Sequence, residues 1–309
     1  PSGEQLVSWE ELTPDDIVIV PAFGTTVEIQ QELDVRGIDP FTYNTTCPFV
    51  EKVWNRGEQL GQTGHTVVIH GKDSHEETRA TFSHSVRGAP TVVVLDPQEA
   101  TILGDIIRGT RGPEDFQARF GHKCSDGFDP ERHLSRVGVV NQTTMLASET
   151  HRIAQILKDA LKDRYGETAL PDHSADTSDT LCYATNENQN ATYALIEAAA
   201  DIAIVVGGYN SSNTSHIVKL CAASAPTYFV QSAEEIRSRS QLRHYDLASR
   251  EVQTVEDWMP ERRPLTVALT CGASCPDVIV EGVLMRILSF FPGARTLDSV
   301  LEPYPPLAD

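Results

Sequence analysis

The sequence predicts an α/β protein with mostly parallel sheets, on three observations. Short runs rich in Val and Ile alternate with longer stretches of helical period, and a repeated strand-then-helix order builds parallel sheets. The runs are apolar throughout instead of at every second residue, as Ile202 to Val206 illustrates, so both faces of such strands are buried. Polar residues capable of chemistry gather just after the runs, at the carboxyl ends where ligands bind in sheets of this kind.

In chain order, Ile17 to Val20 predicts a strand ending in Pro21-Ala22-Phe23-Gly24-Thr25-Thr26. A helix through Val27, Ile29, Leu33 and Val35 follows and closes near Gly37, and Phe41 to Thr46 is expected to be extended. Cys47-Pro48 opens the next helix with proline at its first position; Phe49, Val50, Val53, Trp54 and Leu60 form its buried side. Val67 to His70 predicts a strand and His75 to Ser85 a helix. Val92 to Leu95 predicts another strand, and Asp96-Pro97 starts a helix through Ile102, Ile106 and Ile107. Between Gly109 and Arg136 the pattern lapses into a polar segment read as a surface insertion, with Cys124 incidental to it.

Val137 to Val140 resumes as a strand running into Asn141-Gln142-Thr143-Thr144. Ile153, Ile156, Leu157 and Leu161 mark an amphipathic helix stopped by Gly166. Glu167 to Asp179 reads as a polar linker, and a helix runs from about Asn186 to Ala200. Ile202 to Val206 leads through Gly207 and Gly208 into a helix start bearing Ser211, Ser212, Asn213, Thr214 and Ser215. Strands follow at Thr227 to Val230 and Val267 to Thr270. The second runs through Gly272-Ala273-Ser274-Cys275-Pro276 into a helix through Val280, Val283, Leu284 and Ile287, and the tail from Pro303 is expected to be unstructured.

The bulk numbers narrow the function. At 309 residues the chain holds one large domain or two to three small ones. A formal net charge of −19 argues against a nucleic-acid or anionic-membrane surface, because phosphates would be repelled, yet it leaves room for one small anion held by backbone and hydroxyl groups. No apolar run approaches the ~18 residues of a membrane span, and no signal peptide is seen. Six cysteines, sparse and without paired Cys-x-x-Cys spacing, fit neither a disulfide scaffold nor a zinc ribbon, and point to a reducing compartment.

Three groups of residues carry chemical possibilities. A helix start presents unpaired N–H groups and a partial positive charge, so the polar residues 211 to 215 suit an anion, or else simply cap the helix. His75 and Glu77 at another helix start could shuttle protons if burial brings the carboxyl pKa near neutrality; the alternative is that Glu76 and Glu77 only complement the helix dipole. Cys47 and Cys182 each stand at a helix start, where a thiolate is stabilised as nucleophile or metal ligand. Two thiols from different α/β units suit a shared metal or iron–sulfur centre. Hydrolase or transferase chemistry with Cys47 as nucleophile and His75 as base rests on residue types alone.

Taken together, Asn44-Thr45-Thr46-Cys47-Pro48, His70 to Glu77, Asn141 to Thr144, Cys182-Tyr183-Ala184-Thr185, Val206 to Ser215 and Gly272 to Asp277 resemble the LytB-type 4-hydroxy-3-methylbut-2-enyl diphosphate reductases. The stretches occur in the family's order from about residue 16 to 290, and Pro21-Ala22-Phe23-Gly24 resembles the branch of oxygenic phototrophs; other members have His where Phe23 stands. The resemblance implies three similar α/β units around a central 4Fe-4S cluster. They are expected at 1–47, 48–180 with the insertion 109–136, and 181–275, with 276–309 returning to the first. It implies reductive loss of the substrate hydroxyl, giving isopentenyl and dimethylallyl diphosphate, with electrons from a donor such as ferredoxin or flavodoxin, in the cytoplasm or a plastid stroma. Cys47 and Cys182 match cluster ligands, Glu77 the proton donor, and His75 and Thr143 substrate contacts in the same catalytic group. Ser211, Ser212, Asn213 and Ser274 match diphosphate contacts.

The sequence departs from the family where members begin with a Gly-Phe-Cys-type segment that bears a further ligand, and where Cys271 and Cys275 replace smaller or hydroxyl residues. The expectation is therefore an incomplete first unit, a third ligand outside the sequence, and a chain inactive by itself. The competing expectation is an inactive relative that keeps a diphosphate cleft.

Overall fold

A computed structural model describes residues 6–177, 180–296, 299–300 and 302, arranged in two compact units, residues 1–186 and 187–309. The tail from Pro303 lies outside the described residues, as do the last two positions of the expected linker.

In the first unit, α1 (Val27–Val35) starts at Thr26, whose hydroxyl accepts from the Ile29 N–H, and it buries Val27 and Leu33. α2 (Pro48–Gln62) buries Val50, Val53, Gly57 and Leu60, the three- and four-residue spacing of one helical face. β1 (Thr66–His70), α3 (Glu76–Ser85), β2 (Thr91–Val94), α4 (Pro97–Arg108), α5 (Pro113–Phe120), α6 (Pro130–His133), β3 (Val137–Asn141), α7 (Ala147–Tyr165) and α8 (Leu170–His173) follow. The sheet has the order β2-β1-β3, all parallel, and every residue of its strands is buried. Pleating sends alternate side chains to opposite faces. Val67, Ile69, Val93 and Val140 meet α2 residues Val53 and Leu60, while Val68, Val92, Val94 and Val139 meet Leu103 and Ile107 of α4 and Leu157 and Leu161 of α7. The continuous apolar runs have the reason the sequence suggested: both faces are covered.

α9 (Tyr183–Glu197) crosses the division between the units. The second unit contains β4 (Ile202–Val206), α10 (Ser212–Ala222), β5 (Thr227–Val230), β6 (Gln241–Asp246), β7 (Glu251–Glu256), β8 (Val267–Cys271) and α11 (Asp277–Leu288). Its main sheet, β5-β4-β8, is again parallel with the earliest strand in the centre.

Four segments differ from expectation. Ile17 to Val20 forms no strand: only Val20 pairs, in one bridge with Asn44, while Ile17 and Ile19 stay exposed. The expected extended run from Phe41 is turned at its start, because the Asp39 carboxylate accepts from the Phe41 N–H and the Thr42 hydroxyl. The polar segment 109–136 is no surface excursion. It buries Phe116 and Phe120, stacks Phe116 on Phe128 at 4.9 Å, and lays Lys123 to Ser125 along β2 through a Val92–Cys124 bridge. A few aromatics in polar surroundings carry that packing, too sparse for a periodic signal. The antiparallel β6–β7 hairpin was not anticipated, since β7 is largely exposed and shows no apolar alternation.

Candidate functional site

The carboxyl end of the first sheet collects the expected proton-handling residues. After β1 the chain turns through residues 71–74, and His75 caps α3 with its Nδ1 accepting from the Glu77 N–H at 3.2 Å. Because Nδ1 accepts, a neutral ring carries its proton on Nε2. Glu77 is only 3% exposed, and its sole described partners belong to Thr143 at the end of β3: the backbone N–H donates to one carboxylate oxygen, and the hydroxyl to the other at 2.9 Å. Burial outweighs both donors and lifts the Glu77 pKa from its ordinary 4.5 to about 7. Burial holds His75 below the usual imidazole value; Glu76 opposes that and Lys72 reinforces it.

Further contacts tie this end together. The Gln142 amide oxygen accepts from the Lys72 N–H and the Thr78 hydroxyl, locking the β1 turn onto the end of β3. Asn141 accepts from the Thr180 hydroxyl at 2.9 Å, which brings the segment leading to Cys182 to the same place. On the other side Phe23 meets the His75 ring edge-on, with centroids 6.5 Å apart, and the neighbouring Ala22 carbonyl accepts from the Cys47 N–H at 2.8 Å. Cys47, His75, Glu77 and Thr143 are therefore linked through neighbouring contacts, with Cys182 two residues beyond Thr180 in the chain. Phe23 and Asn141 lay in stretches the sequence singled out, whereas Thr180 joined without any signal in the sequence.

Cys47 and Cys182 both hold N-cap positions, since their carbonyls accept the first helical N–H groups, and both are half-buried. Among the described residues no three His, Cys, Asp or Glu side chains stand together as a metal site. Two thiols do not complete the ligand set of a cubane, so these residues alone do not fit the expected cluster.

The second unit carries the anion-binding candidates. A cleft of ≈ 190 Å³ opens at the carboxyl ends of β4 and β8, walled by Gly207, Gly208, Ser211, Gln231, Ser274 and Cys275 among others. Thr214 packs beneath it between the two loops. A Cβ at Gly207 would stand 2.6 Å from the Thr214 hydroxyl, and one at Gly272 would collide with that hydroxyl outright, so both positions need glycine. Ser211 is the N-cap of α10, accepting from the Thr214 N–H at 3.2 Å and the Thr214 hydroxyl at 2.9 Å. Capping thus occupies its lone pairs, and its own hydroxyl hydrogen remains to donate. Asn213 is buried, donating to Asn188, whose amide in turn donates to the Cys271 carbonyl. Ser212 lies half-buried in the first turn, and Ser274 is exposed. Tyr209 anchors the loop through its hydroxyl on Glu235 and by stacking on Tyr245 at 4.7 Å.

Comparison with known proteins gives these sites a setting. The family model described as "LytB protein" matches residues 2–288. A 4-hydroxy-3-methylbut-2-enyl diphosphate reductase from a Synechococcus species is 42% identical over 273 residues, covering 88% of this chain and 67% of its own length. The protein of the same name from Thermosynechococcus vestitus is 40% identical over 277 residues, covering 89% and 67%. The structure of the E-1-hydroxy-2-methyl-but-2-enyl-4-diphosphate reductase from Plasmodium falciparum aligns with a TM-score of 0.63 at 18% identity over 92% of this chain and 71% of its own, a likeness of fold. The chain belongs to the LytB protein family.

Proposed function

We propose that the protein reduces 4-hydroxy-3-methylbut-2-enyl diphosphate to isopentenyl and dimethylallyl diphosphate in the non-mevalonate isoprenoid pathway. The reaction consumes two electrons and two protons and releases the substrate hydroxyl as water. The observation that carries this reading beyond family membership is Glu77: a buried carboxyl group with a pKa of about 7 is half protonated near neutrality and suits a general acid.

Glu77 protonates the leaving hydroxyl, Thr143 orients the carboxyl group through its two donors, and His75 presents Nε2–H to the substrate. The diphosphate is assigned to the second unit, with Ser211, Ser212, Asn213 and Ser274 as contacts and the positive end of α10 as the field. Ser211 and Ser274 wall the cleft, and Ser212 and Asn213 follow in the first turn of α10 without lining it. The cofactor in this reading is a 4Fe-4S cluster with Cys47 and Cys182 as two of its ligands. The described residues do not complete that site. Electrons come from a small donor protein such as ferredoxin or flavodoxin. The same reading divides the chain into parts of three α/β units at about residues 47, 180 and 275. An inactive diphosphate-binding relative is disfavoured, because Glu77, Thr143 and His75 are held as a working acid would need them.

The deciding experiment is turnover of Glu77→Gln, made in a background that completes the cluster ligand set, with a chemical reductant under anaerobic conditions. Loss of roughly 10²–10⁴-fold in kcat with substrate binding retained is expected; near-normal turnover would move the acid elsewhere.

A further inference from the structure

One side chain outside the anion cleft is bonded to both of the elements that wall it. Asn188 of α9 lies half-buried in the second unit, and its amide makes two bonds of opposite sense. Its Nδ2 donates to the Cys271 carbonyl at 3.0 Å, at the end of β8 and next to the loop that carries Ser274. Its Oδ1 accepts from Nδ2 of Asn213 at 3.3 Å, in the first turn of α10. A carbonyl oxygen only accepts, so Asn188 has to turn its NH2 group toward Cys271 and its oxygen toward Asn213. Asn213 in turn has to direct its NH2 group at Asn188. Turning either amide over would set oxygen against oxygen. The main chain at the end of β8 therefore fixes the orientation of Asn213, and Asn188 passes it on.

No second contact does this work. Asn213 is only 5% exposed, and its Oδ1 is buried without a partner among the described residues. The bond to Asn188 alone distinguishes the two ends of the Asn213 amide. Nδ2 bears two hydrogens, of which Asn188 takes one and the other is left to donate to an anion. With the amide turned over, its oxygen would face phosphate oxygens, and two acceptors repel. We propose that Asn188 is a positioning residue of the anion site, holding the Asn213 amide with its NH2 group available to the diphosphate. The proposal rests on the assignment of the diphosphate to this site and of Asn213 as one of its contacts, made above. In this role Asn188 acts through Asn213 and does not itself wall the cleft.

The test measures inorganic pyrophosphate binding by calorimetry to the 309-residue chain, to Asn188→Leu, to Asn213→Ala and to the double variant. Leucine approximates the size of Asn188 and removes both of its side-chain bonds. Asn188→Leu should weaken binding by about tenfold or more, the scale of one lost hydrogen bond to a charged group. In the Asn213→Ala background the same substitution should change affinity by no more than about twofold, because the group it positions is gone. A purely structural Asn188 would weaken binding equally in both backgrounds, and urea unfolding of each variant separates lost affinity from lost fold. If Asn188→Leu does not fold, Asn188→Ala takes its place in the cycle. Unchanged affinity in Asn188→Leu, or losses that add across the two sites, overturns the proposal. An Asn213→Ala chain that binds as well as the unsubstituted one also overturns it, since nothing is then left to position. Pyrophosphate that fails to bind the unsubstituted chain overturns the cleft assignment itself, and the role of Asn188 with it.

Discussion

Thr143 gives both of its hydrogen-bond donors to Glu77, a residue 66 positions earlier in the chain. Two donors favour the charged carboxylate, yet the pKa stands near 7 because the cost of burying the charge is larger. The pair sets the poise of the site: Thr143 pulls the value down from where burial alone would leave it.

That balance predicts a pH profile. An acid with a pKa of about 7 loses its proton as pH rises, so turnover should fall on the alkaline side of neutrality. Thr143→Val removes the hydroxyl donor and keeps the backbone one, which should raise the Glu77 pKa and carry the alkaline limb to higher pH. A limb that stays in place or moves down in the kcat profile would show that another group supplies the proton.

The same shift has a consequence for stability. The folded-state pKa of Glu77 lies above its unfolded value near 4.5, so its contribution is fully present below 4.5 and is lost as pH rises through about 7. About 2.5 pKa units at 1.36 kcal/mol each corresponds to about 3 kcal/mol, an order of magnitude for a deeply buried group. Denaturant unfolding at pH 5 and pH 8.5 should show the wild type losing stability on that scale. Glu77→Gln should show a flatter dependence, and identical slopes for the two chains would refute this assignment.

Gly272→Ala should damage the second unit through one contact. Its new methyl group meets the Thr214 hydroxyl, so a destabilisation of about 1–3 kcal/mol is expected. Thr214→Ala removes the obstructing hydroxyl and should recover part of the loss in the double variant, measured as coupling in a double-mutant cycle. Additive effects would mean that the loop, not Thr214, sets the cost.

Iron retention should depend on Cys47 and Cys182 and not on Cys124. Cys47 is linked to the Glu77 site through Ala22 and Phe23, and Cys182 follows Thr180, which bonds Asn141 at the same sheet end, whereas Cys124 is packed along β2 with its thiol held above the ordinary range by burial. After anaerobic reconstitution in a background that completes the ligand set, Cys47→Ser and Cys182→Ser should each lose bound iron and sulfide, and Cys124→Ser should match the unsubstituted protein. Equal retention in all three would remove Cys47 and Cys182 from the ligand set.

Much of this was legible in the sequence because the signals are local. Ile202 to Val206 is strand and nothing else in the structure, since an unbroken β-branched run suits a position covered on both faces. Pro48 after Cys47, Asp96 before Pro97 and Ser211 before α10 marked helix starts, because proline geometry and side-chain caps act within a few residues. The residue types at the strand ends pointed to proton transfer and anion binding for the same reason: they follow local turns.

What the sequence could not decide are relations between distant segments. A lone Val20 bridge instead of a strand, the burial of Phe116 and Phe120, and the β6–β7 hairpin, buried through Leu242 on one strand and exposed on the other, all depend on which surfaces the rest of the chain offers for packing. From residue types alone, Glu77 could equally have been a solvated partner of the helix dipole. Only the folded chain places Thr143 against it, removes water from both, and turns an ordinary carboxylate into an acid near pH 7, because desolvation is a property of the surroundings and not of the residue.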